Sequence, residues 1–269
     1  YGDHRDLHSF PTRRSSDLFG VYYKNTLVSL CHALEDFILE SESAPLMITA
    51  FQRGQWYLEE AERYGDIAVK SSQVVILAAP DAGFAEHPTS QRSNVALVSL
   101  ESSDPVAQEW HLIIISETYT AMVLCQELSE SDYGTQGLPE QDRERKFYGF
   151  WTFEPDLVKE TVEFAIAHIG NYNPDLQASL TAQLQQIIHS TKPRVAPLGA
   201  VVNRVVNYLQ KGQQELPPHT SPSQAQVLDD NLVSNEMQAF LRMAQLIDQA
   251  DAINPNAGAE VKTLSETIG

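Results

Sequence analysis

The chain has 269 residues, 36 acidic and 18 basic side chains, and a formal net charge of −18. That excess of carboxylates argues against phosphate-neutralising nucleic-acid binding and against attraction to an anionic membrane surface. A hydrophobic content of 42% excludes a chain disordered throughout.

The elements follow in chain order. Leu27, Leu30, Cys31, Leu34 and Ile38 recur at helical spacing and predict a helix over Thr26–Leu39. Pro45–Phe51 is short and apolar after a breaker, and reads as a strand. Gln55–Ile67 reads as a helix carrying Trp56, Leu58 and Tyr64. The β-branched run Val74–Ala79 predicts a buried strand, and Val95–Leu100 another, with a polar loop over Gly83–Arg92 between them. Pro105–Glu109 reads as one helical turn feeding the strand Trp110–Ser116. Ala121–Leu128 and Phe147–Phe153 are further strands, separated by the polar loop Ser129–Lys146. Leu157, Val158, Val162, Ala165, Ile166 and Ile169 form one stripe of a helix over Asp156–Ile169. Alternating helices and short apolar strands predict an α/β fold around a mixed sheet.

After Gly170 the strand signals stop and an all-α connector is expected. One amphipathic helix carries Leu176, Leu180, Leu184, Ile187 and Ile188, and a second carries Leu198, Val201, Val202, Val205, Val206 and Leu209. A Pro/Ser/Gln linker spans 212–228, and a third helix covers Leu232–Ala250. The connector's apolar stripes are of the kind that pair two copies of a chain into a homodimer.

The search for chemistry is mostly negative. The chain holds no GxGxxG, GxxxxGK[ST], GxSxG, HExxH or CxxC. His32, His87, His111, His168, His189 and His219 are scattered, with no pair at i,i+3 or i,i+4, so neither a metal nor another cofactor is expected. Cys31 and Cys125 make no disulfide framework, which points to a reducing, cytoplasmic setting. Cys31-His32 is the dipeptide type that attaches bilins, but Cys31 lies on an apolar stripe, where a small buried hydrophobe is its ordinary role. The unusual feature is the set of aromatics on or beside the strands. Phe51, Trp56, Trp110 and Trp151 are expected to wall a ligand site, with Arg53 and Glu109 as polar orienters; the competing reading is that these aromatics simply fill the core.

The first stretch, YGDHRDLHSFPTRRSSDL (Tyr1–Leu18), resembles a translated sequencing adapter and is set aside as non-native. Its acids Asp3, Asp6 and Asp17 balance its bases Arg5, Arg13 and Arg14, so the charge belongs to the rest of the chain. From Phe19 to Ile169 the chain resembles the DICT sensory family of bacterial, largely cyanobacterial, signalling proteins. The resemblance rests on VYYKNTLVSLCHALEDFIL (Val21–Leu39), FQRGQWYLEEAERY (Phe51–Tyr64), EW with LIII (Glu109–Ile115) and FYGFWTFEPDLV (Phe147–Val158). It implies a non-enzymatic sensor, working beside diguanylate cyclase or two-component modules in light or second-messenger responses, and it transfers no catalytic residues. LIDQADAINPNAGAEVKTLSETIG (Leu246–Gly269) resembles the entry helix of an HD-type phosphohydrolase, with Ala257 standing where that family places its first histidine ligand.

These readings together divide the chain into a sensory domain over 19–170, a helical connector over 171–245 and the start of an HD-like domain over 246–269. The expected function is an input module that binds a small ligand or a partner domain and relays its state to an output domain. The alternatives are a fragment of a metal-dependent cyclic-dinucleotide phosphohydrolase and a plain protein-interaction domain.

Overall fold

The computed structural model describes residues 20–40, 42–79, 84–190, 200, 201, 203–205, 207 and 208. The readings at 1–18, 212–228, Leu232–Ala250 and 246–269, and His219, lie outside those residues. The chain divides into two compact units. The first is Tyr1–Val21, Leu34–Pro139 and Arg145–Ala196; the second is Tyr22–Ala33, Glu140–Glu144 and Pro197–Gly269.

The first unit is built on a mixed sheet in the order β1-β7-β6-β5-β2-β3-β4. Its strands are β1 (Gly20–Tyr23), β2 (Leu46–Phe51), β3 (Gln73–Ala78), β4 (Val95–Ser99), β5 (Glu109–Ile115), β6 (Thr120–Glu127) and β7 (Lys146–Thr152). Of β1, Gly20 and Val21 belong to this unit. β2, β3 and β4 run parallel; β5 is antiparallel to β2, and β6 and β7 continue antiparallel. The mixed α/β class read from the sequence is the observed one. The helices are α1 (Lys24–Glu40), α2 (Gly54–Lys70), α3 (Pro155–Ile169) and α4 (Pro174–His189). The strand β1 was not expected, since four residues are too short to show a period. The two polar loops contain 3-10 turns at Phe84–Glu86, Pro88–Gln91, Glu130–Gln136 and Asp142–Glu144, local backbone bonding that leaves no apolar pattern.

Period-two alternation sends successive side chains to opposite faces of the sheet. Leu46, Ile48, Ala50, Val75, Leu77, Ile113, Ile115, Met122, Leu124 and Phe150 form one core with Val158, Val162, Ala165, Ile166 and Ile169 of α3 and Leu180 and Leu184 of α4. Met47, Thr49, Phe51, Trp110 and Cys125 point to the other face, where α2 packs against β2 and β3. There Glu35 is fully buried and satisfied: Arg63 Nε donates to it at 2.5 Å and the Tyr64 hydroxyl at 3.2 Å, while Arg63 Nη2 reaches Asp36 at 2.9 Å. Removing one partner of such a group leaves a buried charge exposed to no water, which is why Arg63 and Tyr64 tie α2 to the last turns of α1. Asn173 caps α4, accepting from the Leu176 amide, and Pro174 opens the helix.

Gly149 faces Cys125 across the β6–β7 ladder, and a Cβ there would fall on the Leu124 carbonyl and the Cys125 side chain. Gly149→Ala is therefore expected to lower stability by about 2 kcal/mol or more through overpacking. Urea unfolding of the two proteins, compared at constant m-value, measures it.

Candidate functional site

The structure brings part of the expected aromatic wall together. Phe51 at the end of β2 and Trp110 of β5 have ring centroids 6.3 Å apart, and Trp56 of α2 lies 6.0 Å from Trp110. Phe147, Tyr57 and Tyr64 extend the cluster. Exposed Arg53 places its guanidinium 5.1 Å from the Trp56 ring centroid, a cation–π contact at the start of α2. Trp151 shares the sheet face but sits on β7, where its ring meets that of Phe153 with centroids 5.7 Å apart. Glu109 precedes Trp110 in the same strand, so it emerges on the opposite face and cannot orient a ligand against that aromatic wall.

On that opposite face is a cleft of about 290 Å³ between the sheet and α3. Ile48, Leu77 and Val106 give it an apolar floor, and Phe164, Ala165 and Ala167 of α3 form a wall. Two imidazoles reach it, His111 and His168. Each is held by a carboxylate through Nε2: His111 by Glu109 at 2.6 Å and His168 by Asp104 at 2.9 Å. A carboxylate orienting one ring nitrogen fixes the tautomer and the ring plane.

Asp104 binds more than His168. Its Oδ1 accepts from the Val106 amide at 2.9 Å, capping the 3-10 turn Pro105–Gln108 that leads into β5. Its Oδ2 also accepts from the Tyr172 hydroxyl, in the short connection between α3 and α4. Burial, and then the bond to Asp104, hold the Tyr172 phenol above its ordinary value of 10.0, so it stays a donor. One carboxylate thus links the turn before β5, the cleft wall and the α3–α4 corner.

Histidine spacing along one helix gives no sign of this cleft. His111 and His168 come from a strand and a helix far apart in sequence. One part was legible: Glu109 and His111 at i,i+2 in a strand share a face. His32 makes an edge contact with Tyr208 in the second unit. Among the described residues no cluster of three or more His, Cys, Asp or Glu is arranged to hold a metal ion.

Comparison with known families follows the same division of the chain. Residues 6–128 match DICT, described as the sensory domain in diguanylate cyclases and two-component systems. This DICT match starts inside the stretch read as adapter and ends after β6, short of the Ile169 boundary expected from the motifs. Residues 141–218 match a second family, CHASE6_C, described as the C-terminal domain of a two-partite extracellular sensor domain. That similarity was not foreseen, and neither match reaches the HD-like stretch at 246–269. No curated protein and no solved structure matches the chain. β6 inside the DICT match and β7 inside the second match are hydrogen-bonded neighbours, so the two sensory similarities meet within one sheet.

Asp104→Ala removes a cap and leaves the His168 and Tyr172 side chains without their shared acceptor. A loss of about 2 kcal/mol is expected from the orphaned donors and the cap, read as a lowered urea midpoint. Burial, with the Glu109 charge second, pushes the Cys125 thiol well above 9.0, and Cys31 is buried as well. A thiol kept from ionising is a poor nucleophile. Titration with a disulfide reagent should therefore find no rapid reaction in the native protein and two equivalents after denaturation.

Proposed function

We propose that this chain is a non-enzymatic, signal-sensing input module whose sensing site is the cleft between α3 and the sheet. Sensory-domain similarity along both stretches of the chain supports the class of function. The cleft supports the site, since small-molecule sites are concave, mostly apolar and furnished with a few convergent polar groups. The observation that carries the relay is Asp104. A molecule seated against His168 cannot move that ring without disturbing Asp104, and Asp104 also holds Tyr172 at the start of the α3–α4 corner. Binding would in this way bias the position of α4, a population shift between two packings. An output domain or a partner protein would read that shift, in the second-messenger or two-component setting for which the DICT family is named. The negative charge makes nucleic acid an unsuitable partner. No helix among the described residues is long and apolar enough to cross a membrane. Two buried free cysteines favour a reducing cytoplasm over the extracellular placement in the second family's description.

The earlier expectation, a ligand on the Phe51–Trp56–Trp110 wall, is the second reading, favoured by the Arg53 contact with Trp56. Hydrogen exchange separates the two. A compound that raises the melting temperature should slow amide exchange in Pro155–His189, and Ala167→Trp at the cleft mouth should abolish both effects. Protection confined to residues 51–64 and 110, unchanged in Ala167→Trp, would transfer the site to the aromatic wall.

A further inference from the structure

The cleft's own chemistry narrows its occupant, and the argument rests on the reading of that cleft as the sensing site. The volume of about 290 Å³ is roughly twice that of an apolar cavity of about 150 Å³ that takes up one benzene. One or two fused rings fill such a space, and a long chain or a dinucleotide does not. The floor of Ile48, Leu77 and Val106 faces α3, whose Phe164 is 46% exposed although it borders the cleft. A flat ring lying between that floor and Phe164 gains apolar burial and an aromatic contact together.

Charge decides the next property. His111 and His168 are the ionisable residues lining the cleft, and each is paired with its own carboxylate, Glu109 or Asp104. Two carboxylates match two imidazoles even when both rings are protonated and outweigh them otherwise, so the described lining residues carry no positive excess to hold an anion. Hydrogen bonding decides the last property. An ionised carboxylate only accepts, so His168 carries a proton on Nε2 toward Asp104, and in the uncharged form of the ring Nδ1 is an acceptor. Asn171 at the rim adds an amide.

We propose that the cleft binds an uncharged one- or two-ring aromatic molecule carrying an N–H or O–H donor, which bonds the His168 imidazole while its ring packs between the sheet and Phe164. Nothing covalent is involved.

Calorimetric titration of the full chain with indole, N-methylindole, phenol and benzoate tests this. Indole and phenol are expected to bind at sub-millimolar concentration. N-methylindole, which lacks the donor, and benzoate, which is an anion, should each bind at least tenfold more weakly. Ala167→Trp should weaken indole at least tenfold, and Phe164→Ala several-fold, both at a melting temperature close to that of the unchanged protein. Equal affinity for indole and N-methylindole, equal affinity for benzoate, or indole binding untouched by Ala167→Trp would each overturn the proposal. No binding of any neutral aromatic at millimolar concentration would also overturn it. In that case, a different compound whose stabilising effect Ala167→Trp removes would leave the cleft standing as the sensing site, and only the ligand class would fall.

Discussion

A strand covered on both faces must satisfy its polar side chains from within the fold, and β5 is that strand here. All seven of its residues are buried, with β2 on one side and β6 on the other. Its alternation is what separates the two halves of the molecule's chemistry. Trp110 and Leu112 go to the aromatic face under α2; Glu109, His111, Ile113 and Ile115 go to the face under α3. Glu109 and His111 tolerate that burial because they bond each other at 2.6 Å. Sliding β5 by one residue would put both on the aromatic face and Trp110 in the cleft, so register here is also site architecture.

The aromatic face and the cleft have different physical characters. Phe51, Trp56, Tyr57, Tyr64 and Phe147 are all nearly inaccessible, and their rings meet one another edge-on or tilted. That is the geometry of a packed interior. The cleft, by contrast, leaves Phe164 open to solvent and collects two oriented imidazoles. On this face a single carboxylate, Asp104, holds a turn, a helix and the corner after that helix. A group shared among three elements is sensitive to displacement of any one of them.

The two family similarities meet between β6 and β7, and the strand ladder crosses that junction without interruption. The sheet therefore needs both stretches: β7 covers β6, and α3 closes the cleft over strands that belong to the DICT match. A boundary between sequence families is here not a boundary between folding layers.

Local pattern was strong where helices carry one apolar stripe and where short apolar runs are bounded by breakers, and so α1 to α4 and six of the seven strands were legible with nearly their observed bounds. The grouping of Phe51, Trp56 and Trp110 was legible too, since aromatics flanking neighbouring elements converge on one core. Three things were not. Glu109 is expected as a polar orienter beside the aromatic wall, although strand alternation places it on the side opposite Trp110. Trp151 was added to that wall because composition carries no information on which strand neighbours which. The His111–His168 cleft was missed because its members are joined by the sheet order and the α3 crossover, not by spacing.

The sequence by itself determined the α/β class, the helix and strand identities, the acidity and the absence of known catalytic motifs, because these follow from composition and short-range periodicity. Tertiary structure alone decided the strand order, which helix covers each face of β5, and the meeting of Asp104, His168 and Tyr172. These depend on contacts between different elements, in the case of Asp104 with residues more than sixty positions away, for which no local propensity exists.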